Sequence, residues 1–357
     1  MKYHFYVNVI NHNLKHAGSK AVSDCTNILG KQGYELVQLN FYKYKYLAVF
    51  NILKMIVQLT GMVFFIKPKS LIVMQYPLFG LKGYFRLFIG ILKLKKCFFA
   101  CIIHDLNSLR YQKAEPEIAG EIRNLNAYDI IISHNHSMTE WLKSKSTQTK
   151  VIDLEIFDYL CTQENQFNRI AAFKNGEREV IFAGNLSRGK FIYNLGKATN
   201  RIYFKLYGPG LDLKRFEKQE NVSWEGTFTA EALVEKLKGN FGLIWDGDDV
   251  EQCAGQYGNY IAYNNPHKIS LYLAAGLPII LPLKAALSKF VIDNNIGVAI
   301  NSLSELSDII DNIDVNQYEI MIKNIISISN KLKTGYFFQS AIKRVEGTYE
   351  THNNPLV

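Results

Sequence analysis

Asn264-Asn265-Pro266-His267-Lys268-Ile269-Ser270-Leu271-Tyr272-Leu273-Ala274-Ala275-Gly276-Leu277-Pro278-Ile279-Ile280 decides how this chain folds. The stretch reads as loop, helix, tight turn and buried strand. Asn-Pro opens a helix, with Pro266 suited to the first helical position. From Ile269 to Ala275 the residues are small or apolar on every side, so the helix is expected to be packed all round. Gly276 ends it, Pro278 prevents a restart, and 278–283 reads as a strand entering the core. The helix N-terminus carries partial positive charge and unbonded N–H groups, yet His267 and Lys268 stand in its first turn. Cations there oppose the helix dipole. They point to an anion arriving at this end, phosphate being the usual one. The plainer alternative is a core helix that begins with a solvated lysine.

Outward from this stretch the chain repeats strand and helix. In the first half, strands are expected at 3–10, 34–41, 70–76, 95–104, 128–133 and 150–156, most of them followed by helices. That alternation defines a Rossmann-like α/β domain. Residues 157–179 are polar and turn-rich and read as a connection. The pattern then restarts, with strands at 179–183, 203–207, 221–224 and 241–245 before the organising motif. Helices at 318–332 and 335–349 close the chain. The expected organisation is an N-terminal domain over 1–157, a linker over 158–178, a C-terminal domain over 179–332 and a final helical segment over 333–357.

Open parallel sheets bind ligands at the C-terminal ends of their strands. In the loop after the first strand, Gly18 allows close backbone approach and Ser19 can cap a helix. His104-Asp105 closes the fourth strand and places two titratable groups at the rim; an N-cap aspartate beside a surface histidine is the alternative. The strongest loop is Gly184-Asn185-Leu186-Ser187-Arg188-Gly189-Lys190. It offers backbone N–H groups, Asn185, Ser187 and the cations Arg188 and Lys190 to a diphosphate. Tyr207 and Gly208 end the following strand. Residues 251–261 are Gly-rich and read as a lid.

At 357 residues the chain has room for two full cores. Its net charge of +9 favours anionic partners, namely nucleotide-sugars, nucleic acid or an anionic membrane. No dense Lys/Arg run with interleaved aromatics and no RNP-like motif appears, so nucleic acid is set aside. Five cysteines form no disulfide framework and read as reduced thiols. With no charged-then-apolar leader, a cytoplasmic protein is expected. Residues 46–66 are the most hydrophobic long stretch, interrupted by Asn51, Lys54 and Gln58. Two readings stay open for it. It is an amphipathic helix on the inner face of an anionic membrane, flanked by Lys43, Lys45, Lys67 and Lys69, or a helix packed on the sheet. The 21 Tyr and 22 Phe leave a homo-oligomer open as well.

The run from Pro266 to Ile280 resembles the Pro-x-Lys-x-x-x-Tyr-[Leu/Met]-Ala-x-Gly-x-Pro-[Ile/Val]-Ile pattern of GT-B glycosyltransferases. Its longer form, from Tyr263 to Gly276, resembles a narrower bacterial group. That group holds glucosyltransferases that extend O-linked GlcNAc on serine-rich repeat adhesins, and related galactofuranosyltransferases. The resemblance implies two Rossmann-like domains facing a central cleft, with the last helix crossing back to the first domain by way of Tyr336-Phe337-Phe338. It implies a UDP-sugar donor, a glycan acceptor on protein or lipid, and no metal or other cofactor. The Asp246, Asp248 and Asp249 cluster is accordingly not expected to hold one, and the His134, His136 pair is set aside because its spacing does not match a helical metal pair and no third ligand is evident. The 184–190 loop resembles the family's Gly-x-Leu-Ser-x-x-Lys loop, which places Arg188 and Lys190 on the donor pyrophosphate, with Asn265, His267 and Lys268 opposite. Tyr207 and Gly208 are expected near base or ribose. His104 and Asp105 are expected to face sugar and acceptor, Asp105 as general base if the enzyme inverts. One departure is Leu271, where many relatives have a ribose-binding Glu. The rival reading is a non-catalytic GT-B subunit that assists an active transferase.

Overall fold

The computed structural model of the chain describes residues 1–10, 20–42, 48–77, 82–216 and 219–353. These fall into two compact units. One holds the described residues up to Glu155, Lys20 excepted, and those from Phe337 onward; the other holds Lys20 and Ile156–Tyr336. Gly18 and Ser19 lie outside the described residues.

In the first unit the order is β1 (Lys2–Ile10), α1 (Lys20–Lys31), β2 (Glu35–Tyr42), α2 (Ala48–Phe65), β3 (Leu71–Tyr76) and α3 (Lys82–Leu94). It continues with β4 (Phe98–Ile103), α4 (Asn107–Arg110), α5 (Glu115–Leu125), β5 (Ile130–Ser133), α6 (His136–Ser144) and β6 (Lys150–Asp153). The strands are parallel in the order β2-β1-β3-β4-β5-β6. Strands β3, β4 and β5 are buried along their whole length, as their unbroken apolar runs require of strands covered on both faces. Right-handed crossovers put α2 and α3 side by side on one face of the sheet, where the hydroxyls of Thr60 and Tyr84 meet at 2.8 Å. Met55 and Leu59 of α2 and Phe85, Phe88 and Leu92 of α3 join Phe5, Phe99 and Cys101 in one core. The fourth strand starts at Phe98 rather than at 95. Lys95 instead serves the turn, its ammonium donating to the Val63 and Ile66 carbonyls at the end of α2.

The second unit contains α7 (Arg169–Lys174), β7 (Glu179–Ala183), α8 (Leu195–Ala198), β8 (Tyr203–Tyr207), β9 (Val222–Gly226), α9 (Ala230–Lys236) and β10 (Phe241–Leu243). After these come α10 (Gly255–Tyr260), α11 (His267–Ala274), β11 (Ile279–Pro282), α12 (Ser288–Asp293), β12 (Gly297–Ile300), α13 (Leu306–Asp311) and α14 (Val315–Thr334). Its parallel sheet runs β12-β11-β10-β7-β8-β9. Helix α11 is packed all round, with every residue from Ile269 to Ala275 buried. Pro266 stands at its N-cap, with φ −60° and ψ 121°, and not at the first helical position; His267 opens the helix. Gly276, at φ 77°, turns the chain into β11.

The stretch read as a connection is built into this unit. Arg169 is buried and spreads its guanidinium over four carbonyls. Nε donates to Gly276 at 3.1 Å, Nη1 to Gly239 at 3.0 Å, and Nη2 to Leu237 at 3.1 Å and Ala275 at 2.8 Å. Two of these carbonyls lie at the C-terminal end of α11, where orphan carbonyls and the dipole both favour a cation. Burial pushes the guanidinium down to about 10, still charged at neutral pH.

Helix α14 begins with a capping box between Asp314 and Gln317 and stops at Gly335, which is left-handed with φ 82°. The next helix, α15 (Tyr336–Asn353), belongs to the first unit from Phe337 on. It buries Phe337, Phe338, Ile342 and Val345 there. Glu346 accepts from Lys2 Nζ at 2.8 Å and from the Tyr34 hydroxyl at 2.7 Å. Tyr336 is exposed and groups with the second unit, so the apolar face expected from three aromatics comes down to two phenylalanines.

Replacing Arg169 with Met takes a donor from four interior carbonyls, of which Leu237 keeps the Asn165 amide. It is expected to cost about 3 kcal/mol or more, read as a lower urea midpoint. An unchanged midpoint shows that the guanidinium is not a structural hub. The second expectation concerns pH. Burial pushes His4 and His134 down to about 4, against about 6.5 in an unfolded chain. Their folded pKa values are depressed, so the stability they contribute is complete above pH 6.5 and is lost as pH falls towards 4. Each accounts for roughly 3 kcal/mol over that window. Urea midpoints between pH 7 and 4 are therefore expected to fall steeply. A flat profile shows the imidazoles to be less buried than described.

Candidate active site

The two motifs singled out by the sequence meet in the second unit. The loop after β7 starts at Gly184, and the stem of Lys268 lies across it. A Cβ on Gly184 would sit 3.4 Å from Lys268 Cε. The Lys268 ammonium is 4.3 Å from the centre of the Phe182 ring and 3.5 Å from Asp246 Oδ1. Lys190 pairs with Asp248 at 2.6 Å. The Arg188 guanidinium lies 5.6 Å from the Tyr257 ring centre. Both aspartates follow β10, so the loop after β10 faces the loop after β7 and the start of α11. Helix start, Gly184 loop and three cations thus share one edge of the sheet.

Glycine lets the backbones come this close. A Cβ on Gly208, whose φ is 129°, would fall 1.9 Å from the Gly184 carbonyl oxygen. The loops are further tied by Gly184 N–H to the Tyr207 carbonyl at 2.9 Å, and by Leu186 N–H to the Pro209 carbonyl at 2.8 Å. Asn185 Oδ1 accepts from the Ser187 N–H and hydroxyl, so these two side chains shape the loop. A signal the sequence reading passed over is the hydroxyl of Tyr272. It donates to the Leu243 carbonyl at 3.2 Å and accepts from Ala183 N–H at 2.7 Å, stitching α11 to the ends of β7 and β10. Burial pushes this phenol above its ordinary value, so it keeps its proton.

Two candidates point to other places. His267 was expected as a cation facing phosphate. Its ring instead stacks on Tyr159 at 5.1 Å, and Nε2 donates to the Asp158 carbonyl at 3.1 Å. Burial pushes it down to about 4, so it is neutral at pH 7 and anchors residues 157–159. Ser270 adds a bond to the Phe157 carbonyl at 2.6 Å. The Tyr207 side chain is buried and its hydroxyl meets the Lys236 carbonyl at 3.2 Å; only its backbone faces the loop. Asn265 is buried just ahead of the helix start. Leu271 is buried in the core, where an acidic side chain has no place.

His104 and Asp105 belong to the first unit. His104 Nε2 donates to Gln75 Oε1 at 2.6 Å. The Gln75 amide in turn donates to His4 Nε2 at 3.0 Å and Thr26 Oγ1 at 2.9 Å, and His4 Nδ1 donates to the Val73 carbonyl at 3.0 Å. Each donor in this chain has an acceptor only if His104 carries its proton on Nε2, which leaves the basic lone pair on Nδ1. Asp105 forms an ion pair with Arg110 at 2.6 Å. The carboxylate of Asp105 is thus held by Arg110. His134 is buried and His136 exposed. Among the described residues, no group of three His, Cys, Asp or Glu side chains is placed to hold a metal.

Family models match both halves of the chain. They are "Glucosyltransferase 3-like, N-terminal domain" over residues 3–156 and "Glucosyltransferase 3-like, C-terminal domain" over residues 180–345. Beta-1,6-galactofuranosyltransferase WbbI of Escherichia coli K12 is 32% identical, across 96% of this chain and 98% of its own. Glucosyltransferase 3 of Streptococcus gordonii is 25% identical, across 90% and 92%. Among solved structures, sucrose-phosphate synthase from Thermosynechococcus elongatus superposes with a TM-score of 0.63 at 13% identity, over 98% of this chain and 99% of that one. Anabaena HepE, solved with UDP, gives 0.62 at 11% identity, over 97% and 100%. The fold is that of the GT-B glycosyltransferases. Within them, this chain belongs to the glucosyltransferase 3-like family and is a glycosyltransferase.

The Gln75 relay has a measurable consequence. Gln75→Glu places a carboxylate on His104 Nε2, which favours the imidazolium. If His104 takes up the proton during transfer, the acidic limb of the pH–rate profile is expected to move up by about one unit or more. An unmoved limb in a folded variant removes the relay from the reaction.

Proposed function

We propose that this chain transfers a hexose from a UDP-sugar to a sugar hydroxyl of a glycan carried on protein or lipid, without a metal ion. Galactofuranose is the hexose we favour, because the galactofuranosyltransferase relative is more similar than the glucosyltransferases. The observation that carries the donor class is the meeting of Lys268, Arg188 and Lys190 with the start of α11 and the Gly184 loop. A departing nucleoside diphosphate gains negative charge as the sugar carbon becomes oxocarbenium-like. Fixed cations and N–H groups stabilise that charge without rearranging. In the free protein Asp246 and Asp248 face two of these cations; an arriving diphosphate takes over that role. Several relatives of the same fold were solved with UDP, which supports the same donor class.

On the first unit we assign His104 and Asp105 to the acceptor. His104 Nδ1 takes the hydroxyl proton, and Asp105 with Arg110 positions the polar acceptor. With Leu271 in the interior, ribose recognition falls to backbone around Gly208 rather than to a carboxylate.

The test is titration of UDP by calorimetry, followed by transfer assays. UDP-galactofuranose, UDP-galactose and UDP-glucose are offered with GlcNAc-bearing peptide and lipid-linked acceptors. Lys268→Ala is expected to lower kcat/KM by about a hundredfold or more while the protein stays folded. Unchanged turnover removes Lys268 from the site, and a chain that neither binds UDP nor turns over loses the proposed donor.

A further inference from the structure

The first unit carries an apolar face that its own fold does not cover. Helix α2 turns Met55 and Leu59 into the core. Its opposite side shows Val49, Leu53, Val57 and Phe64, spaced at helical intervals and all exposed. Helix α3, packed alongside, buries Phe88 and Leu92 and exposes Leu87, Ile91 and Leu94 in the same way. The most protruding are Phe64 at 79%, Phe65 at 83% and Leu94 at 85% exposure. All three sit where the helices end. The two end turns lie side by side, with Lys69 N–H bonded to the Lys95 carbonyl at 2.9 Å. So many exposed apolar side chains on two adjacent helices are uncommon on a monomer and mark an interaction surface.

Charge identifies what covers it. From residue 36 to residue 104 the sequence has ten Lys or Arg residues and no Asp or Glu. The net charge of the whole chain is +9, so this stretch accounts for all of it. Lys93 is paired with Asp129 at 2.8 Å. Lys67, Lys69 and Lys96 are exposed at the helix ends, beside Phe64, Phe65 and Leu94. Aromatic and aliphatic side chains with lysines at their end suit a surface that is anionic outside and apolar beneath. A second copy of the chain docking through this face would set lysines against lysines. Among the described residues no helix is long and apolar enough to cross a membrane, so the fit is to lie on one.

We propose that the outer face of α2 and α3 docks the protein on an anionic lipid bilayer. This is independent of which sugar is transferred. The full chain is mixed with vesicles of phosphatidylcholine, and of phosphatidylcholine with phosphatidylglycerol, and its partition is read by sedimentation. Binding to the anionic vesicles is expected to be at least about tenfold tighter, and to weaken with salt. Two variant sets test the surface with the melting temperature retained. One combines Val57→Ser, Phe64→Ser and Leu94→Ser, and the other Lys67→Glu, Lys69→Glu and Lys96→Glu. Each is expected to lower the partition by about tenfold or more. Variants that bind as the parent does, or a parent with no preference for anionic vesicles, overturn the proposal. A parent that ignores vesicles and forms a dimer dissociated by the serine set also overturns it, the face then being a self-interface.

Discussion

A single buried guanidinium holds the second unit in register. Arg169 reaches from the segment that precedes the sheet to the end of α9, the start of β10 and the C-terminal turn of α11. A charge in the interior is tolerated only when its surroundings answer it. Here four carbonyls and the negative end of a helix do so. The same helix presents Lys268 at its other end. The cation that holds the helix therefore also helps to fix where Lys268 stands, although the two never touch. Tyr159, His267 and Ser270 add to the same anchoring, joining residues 157–159 to α11 and, through Tyr159 N–H, to Leu332 of α14.

The positive cluster of the second unit is answered by carboxylates and an aromatic face. Lys268 lies between the face of Phe182 and the carboxylate of Asp246, while Lys190 meets Asp248. The Lys190 pair is exposed and contributes little to stability. Both aspartates follow β10 and act as counter-ions to cations of other elements. On the first unit the order is different. The His4, Gln75 and His104 relay is directional, each hydrogen bond running from a nitrogen donor to the next acceptor.

Much of this was legible in the sequence, for physical reasons that differ by element. Strands β3 and β4 are covered on both faces, so their unbroken apolar runs announced them. Helix α11 was marked by Pro266 and Gly276, whose backbone preferences act locally. The Gly184 loop was legible because glycines and cations at a strand end have few other uses. What could not be read depends on distant partners. His267 looks like a cation until Asp158 and Tyr159 are seen to enclose it. Arg169 looks like one more solvated side chain in a polar stretch. Gln75 gains meaning only from the parallel register that sets β1, β3 and β4 beside one another.

Tyr272 gives the junction of β7, β10 and α11 an unusual mechanical character. Its ring rests on Gly242, where a Cβ would come within 2.4 Å, and its hydroxyl bridges Ala183 and Leu243. One rigid aromatic thus spans three elements, with no slack between strand ends and helix start. Ala183, which leads into the Gly184 loop, is thereby bonded to the helix that carries Lys268. Divergence among relatives that handle different sugars then has little room at this seam. It is left to the segments around it that this phenol does not clamp, among them the turn at Gly208-Pro209-Gly210 and the Gly-rich approach to α11.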